Sequence, residues 1–219
     1  MRIGTIFSDL SGTSDSGPKS LYEVMQHDWT VFVTIPTVNQ DENCDELWAL
    51  GTCIDAEFQT GIRLVAACDS ADLGRLGREN RISRSGSGNP VIFWSYEAGS
   101  ITAAGEDQCH TFFSESFKKS KVVLIVGPDR RLHLSMSIPA WSALNAGEII
   151  RSLKALMMVQ GRPLATPANW EVGEDVIVQP SLDDAAAERD YGPVRTVLSY
   201  LRYVKSPFQP LATPKSDRE

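Results

Sequence analysis

Cysteine is the residue of this chain best suited to covalent chemistry at neutral pH, and there are four: Cys44, Cys53, Cys68 and Cys109. The thiolate is the reactive form, so each cysteine's surroundings decide whether it can act. None belongs to a Cys-x-x-Cys pair or a zinc-ribbon spacing. Cys53 and Cys68 read as small buried hydrophobes. Cys44 is different, because it follows Asn43 at an expected helix start, where backbone N–H groups and the helix dipole lower a thiol pKa. Asp41, Glu42, Asp45 and Glu46 flank it and act in the other direction, disfavouring the thiolate. The same four carboxylates suit a solvated helix N-terminus. Cys109-His110 is the one adjacent Cys/His pair, but a nucleophile and its base are defined in space, and the pair reads as loop. His27 and His133 have no ligand spacing, so neither a metal site nor a cofactor is expected. Arg84, Ser85, Gly86 and Gly88 read as surface loop rather than a phosphate site.

The elements around Cys44 follow from hydrophobic pattern. Thr30 to Ile35, ended by Pro36, is a nearly continuous apolar run rich in β-branched residues, as in a strand buried on both faces. A helix follows the loop of residues 37–42, with Asn43 as N-cap and Glu46 as its reciprocal partner. Leu47, Leu50, Ile54 and Phe58 share one face of it, and Gly61 ends it. Arg63 to Cys68 predicts the next buried strand and Asp69 to Asn80 a short helix. Strand, helix, strand, helix in that order implies a parallel crossover unit. Pro90 to Ser95 ends in a short strand. Lys121 to Val126 and Leu132 to Ser137 form a hairpin about Gly127-Pro128-Asp129-Arg130. Ala146 to Gln160 is a helix, with Ile149, Ile150, Leu153, Leu156 and Met157 at helical spacing. The polar stretch from Ser8 to Ser20 reads as loop. Composition shifts towards Pro and acidic residues near Arg162, which places a domain boundary there: 1–161 and 162–219.

The chain has 219 residues, 42% of them hydrophobic, and a net charge of −7. That length buries an ordinary core. The acidic balance argues against a nucleic-acid partner, because phosphate contact needs a basic face. No apolar run reaches the ~18–20 residues of a membrane span, and no export signal is visible, so a cytoplasmic protein with reduced thiols and no membrane partner is expected.

The second half resembles the one-cysteine peroxiredoxin family. Val122 to Leu134 is similar to that family's hairpin, in which a Gly-Pro-Asp turn joins two core strands, and Pro139 falls where the family also has a proline. Leu164-Ala165-Thr166-Pro167-Ala168-Asn169-Trp170, followed by Gly173, Val176, Val178 and Pro180, resembles the start of the family's C-terminal extension. Tyr200-Leu201-Arg202-Tyr203 is similar to its end. In the front half Trp29, Pro36, Glu46 and Leu47 match. The resemblance implies an α/β, thioredoxin-like fold: a central mixed sheet flanked by helices, carrying the C-terminal extension. It also implies a homodimer in which residues 162–207 reach over the partner subunit.

Family members reduce hydroperoxides with a thiolate in the motif Pro-x-x-x-Thr/Ser-x-x-Cys, helped by an arginine on a strand. Counted from Pro36, the hydroxyl position here is Gln40 and the cysteine position is Asn43. Counted back from Glu46, the cysteine position is again Asn43. Cys44 is offset by one residue, which turns a helical side chain by roughly 100°. The arginine position holds Lys121, which keeps the charge but loses the planar fork. A second family arginine falls on Pro163, beside Arg162, and a histidine position before Pro36 holds Ile35. The resemblance thus implies a divergent member with lost or altered hydroperoxide reductase activity, its pocket reused for a small-molecule or protein partner. The alternative is an active thiol peroxidase in which Cys44 is the nucleophile, Lys121 and Arg162 supply charge and Gln40 holds the peroxide. A small-molecule enzyme binding its substrate with Gln40, Asn43 and Lys121 is the third reading.

Overall fold

The structure, a computed structural model, describes residues 2–36, 40–58, 60–68, 70–83, 91–96 and 120–208. Two compact units divide the chain, Met1–Ala146 and Gly147–Glu219. The boundary lies before the helix rather than at Arg162. Ala155 and Met158 of that helix belong to the same apolar cluster as Leu164, Trp170, Val176 and Val204, so the helix is part of the second unit's own core.

The first unit holds a sheet in the order β2-β1-β5-β4-β3-β6-β7. Its strands are β1 (Gly12–Ser14), β2 (Gly17–Pro18), β3 (Trp29–Thr34), β4 (Ile62–Ala67), β5 (Val91–Tyr96), β6 (Ser120–Val126) and β7 (Leu132–Pro139). The helices are α1 (Leu21–Met25), α2 (Gln40–Glu57) and α3 (Ser70–Ser83). β3, β4 and β5 run parallel, as the strand–helix–strand order requires, and β6 runs antiparallel to β3. Every residue of β3 is buried. Its even face joins Phe32 to Val65, Ala67, Trp94, Val122 and Leu124 in one cluster, closed over by Leu21, Val24 and Met25 of α1. The odd face, Val31 and Val33, is equally dry, as are Leu64, Ala66, Val123 and Ile125 of its neighbours. Each such Val, Leu, Ile or Phe side chain removed from water contributes about 1.5–3 kcal/mol, which is why the run is continuous rather than alternating.

Residues 8–20 are not all loop. Gly12 to Ser14 pairs with β5, and Gly17-Pro18 turns back on it. The pairing depends on a missing side chain: a Cβ on Gly12 would lie 2.4 Å from the Ser95 carbonyl oxygen and 2.5 Å from the Trp94 ring. Ser/Gly-rich composition hides strands this short, because tertiary contact with Trp94 selects them.

The hairpin β6–β7 forms where its turn chemistry placed it. Arg130 sits at φ +61°, and its N–H donates to the Gly127 carbonyl at 2.8 Å. Burial would raise the Asp129 pKa, but hydrogen bonds from the Arg131 N–H and from His133 outweigh it and hold the carboxyl below its usual value. His133 in turn lies against the Trp29 ring, 5.1 Å between centroids.

The second unit contains α4 (Ala146–Val159), α5 (Asp184–Tyr191) and a sheet in the order β10-β11-β9-β8. Its strands are β8 (Leu164–Ala165), β9 (Val176–Val178), β10 (Arg195–Leu198) and β11 (Leu201–Val204). Trp170 is fully buried among them, and its indole N–H donates to the Glu174 carbonyl at 3.1 Å. Arg202, 8% exposed, donates to Asp184 at 2.6 Å and to the carbonyls of Gln179 and Leu182, tying β11 to the start of α5.

Candidate functional site

α2 starts at Gln40, three residues ahead of the expected N-cap. The helix therefore extends back through Asn43 instead of being capped by it. The shift bears directly on Cys44. The first four N–H groups of a helix lack intrahelical partners and carry most of the dipole's effect. Cys44 is the fifth residue and lies beyond them.

Cys44 also faces inward. It is 1% exposed, and it shares its face of α2 with Leu47, Leu50 and Ile54, all 1% exposed or less. Glu46, two residues on, points roughly 200° away around the helix axis. Cys44, Cys53 and Cys68 are reduced thiols; Cys68 is as buried as Cys44, whereas Cys53 is only half-buried, not the buried hydrophobe expected. Burial in apolar surroundings disfavours a thiolate.

Glu46 meets Lys121. The Lys121 ammonium donates to Glu46 Oε2 at 2.6 Å. Lys121 lies on β6, paired across to Ile138 of β7, and its side chain is 3% exposed against 23% for Glu46. The same Glu46 oxygen accepts the Leu144 N–H at 3.1 Å. One residue along β6, the Val122 N–H donates to Thr34 Oγ1 at 2.9 Å, fixing the end of β3 just ahead of the buried Ile35 and Pro36. The structure therefore brings Pro36, Cys44, Glu46 and Lys121 into one unit. The lysine's charge is already matched by a carboxylate.

Arg162 belongs to the second unit, where its guanidinium donates to the Met158 carbonyl at 2.7 Å and caps the end of α4. That is the ordinary role of a cation after a helix C-terminus. The side chains of Gln40 and Asn43, the pair Cys109-His110 and residues 84–89 lie outside the described residues. The Leu144 N–H and Thr34 Oγ1 escape sequence reading. A backbone donor has no residue-type signature, and Thr34 reads simply as a β-branched strand residue.

A family model, the C-terminal domain of 1-Cys peroxiredoxin, matches residues 155–192. Mouse peroxiredoxin-6 is 37% identical over 94 residues, 40% of this chain and 42% of that protein. Over these stretches the chain is similar to one-cysteine peroxiredoxins. It spans between about a third and two fifths of the length of the curated peroxiredoxins it matches. Solved peroxiredoxins share the fold over far more of the chain. A cysteine-to-serine mutant of peroxiredoxin 6 from Arenicola marina superimposes with a TM-score of 0.75 at 22% identity, covering 94% of this chain and 99% of that one. Yeast mitochondrial 1-Cys peroxiredoxin gives 0.74 at 19% identity, covering 94% and 100%. The thioredoxin-like peroxiredoxin fold is thus the one the resemblance implied, and the C-terminal extension it implied contains an antiparallel sheet. Among the described residues, no helix is long and apolar enough to cross a membrane.

Proposed function

We propose that this chain is a divergent peroxiredoxin in which hydroperoxide reduction is lost or strongly altered, and that the retained fold serves to bind a small-molecule or protein partner. The burial of Cys44 on the apolar face of α2 carries this reading. A peroxidatic thiol needs access for the peroxide and a surplus of positive charge to hold the thiolate. Cys44 is buried beyond the first helical turn, and Lys121 is paired with Glu46. Asn at position 43 has no redox chemistry.

The test is to mix reduced protein with one equivalent of hydrogen peroxide, quench with a sulfenic-acid trap and map the adduct by mass spectrometry. Slow labelling scattered over the four cysteines is expected. Replacing Cys44 with Ser should change peroxide consumption by less than about threefold. Fast, selective labelling of Cys44, with activity abolished in the serine variant, would instead establish the thiol peroxidase that uses Cys44.

The dimer belongs to the same proposal. Among the described residues, β7 is an outer strand of its sheet, paired with β6 on one side and hydrogen-bonded on the other to Gly4 and Thr5 at Leu132, its first residue. Light scattering at micromolar concentration should give twice the 24.1 kDa chain mass. A monomeric mass contradicts it.

A further inference from the structure

The segment after β7 is closed by contacts that converge on one ion pair. At its start, Pro139 pairs with Ser120 and Ile138 with Lys121, so the β6 backbone holds it. A turn follows, in which the Ser142 N–H donates to the Pro139 carbonyl at 3.0 Å. At its end, the Leu144 N–H donates to Glu46 Oε2 at 3.1 Å, the oxygen that also takes the Lys121 ammonium at 2.6 Å. Both ends of residues 138–144 are therefore tied to Lys121, one through its backbone and the other through its side chain and Glu46. At the apex, Trp141 is 78% exposed, the most exposed of the chain's large hydrophobic residues among those described.

We infer that Glu46 and Lys121 are positioning residues: their ion pair staples the Pro139–Leu144 turn and fixes the presentation of Trp141. The geometry suits this role. A carboxylate that accepts from both an ammonium and a backbone N–H forms charge-assisted bonds, which are stronger and more directional than neutral ones. With Lys121 buried, the pair is poorly screened by salt. The ammonium orients the carboxylate, and the carboxylate holds the turn. This role goes beyond the proposed loss of peroxidase chemistry and does not depend on it, because it would operate whether or not Cys44 reacts.

Amide hydrogen exchange tests the staple without reference to activity. In the wild-type protein, the Leu144 amide should exchange at least roughly tenfold more slowly than an unprotected amide, because it must first leave Glu46. An unprotected rate overturns the inference. In Lys121→Met, Glu46 keeps its partial exposure to water but loses the group that orients it. Leu144 protection should fall towards the unprotected rate, while amides of β3 and β4 keep theirs. Lys121→Arg, which restores a cation, should restore the protection. Protection in a folded Lys121→Met protein equal to wild type overturns the coupling. If the Met variant does not fold, the comparison of wild type with Lys121→Arg decides: loss of Leu144 protection in a folded Arg variant also overturns it.

Discussion

Glu46→Ala is expected to destabilise the protein by about 3–5 kcal/mol, measured by urea denaturation of the intact chain. The loss does not measure the attraction of the pair. The substitution leaves the Lys121 ammonium, whose side chain is 3% exposed, without its carboxylate and away from water. It also strips the acceptor from the Leu144 N–H. The pair as a whole contributes far less, because burying both charges costs nearly what their attraction returns. The double variant Glu46→Leu with Lys121→Met should therefore lie within about 1 kcal/mol of wild type. A single-variant loss below ~1 kcal/mol would mean that Lys121 reaches solvent or another partner when Glu46 is gone, and that the pair is not the fixed element described above.

Trp170→Ala should cost the second unit about 3–5 kcal/mol, the loss typical of deleting a buried aromatic side chain. Trp170 is fully buried between Leu164, Val176, Val178 and Met158 and is the largest member of that cluster. Its indole N–H is matched by the Glu174 carbonyl, which the substitution would leave with one bond fewer. Denaturation followed by circular dichroism, with exchange protection of β9 and β11 amides read alongside, would locate the loss. Protection that falls in β9 and β11 but persists in β3 and β4 would match a core confined to the second unit. Trp141→Ala is the internal control. At 78% exposure it should change stability by less than about 0.5 kcal/mol.

Much of this architecture could be read along the chain because its core elements carry strong local patterns. The run from Thr30 to Ile35 has no polar face to leave exposed, so it had to be a central strand. The Gly-Pro-Asp-Arg turn holds the residue types that a tight reversal between two strands requires. Tyr200 to Tyr203, similar to the end of the family's C-terminal extension, falls on β11, the strand that carries Arg202. Boundaries were less secure. Asn43 is a good N-cap in isolation, yet α2 already includes Gln40. The domain boundary expected near Arg162 rests on composition, whereas the division into compact units at Ala146 places α4 with the side chains it shares a core with.

The residue types at the matched positions could be read in one dimension: Asn at 43, Gln at 40 and Lys at 121 are chemical facts that no packing alters. Whether Cys44 could take over could not be read so, because one residue's displacement on a helix changes meaning with where the helix begins and which face it buries. Nor could the chain reveal that Lys121 meets Glu46, which lies 75 residues away, or that a backbone N–H at Leu144 shares the same oxygen. Distance in sequence carries no such information. The sheet register that sets Lys121 beside Ile138, and the helix that sets Glu46 opposite it, exist only once the strands have paired. Those pairings form because burying the apolar faces of β3 and β6 outweighs the entropy of bringing distant segments together.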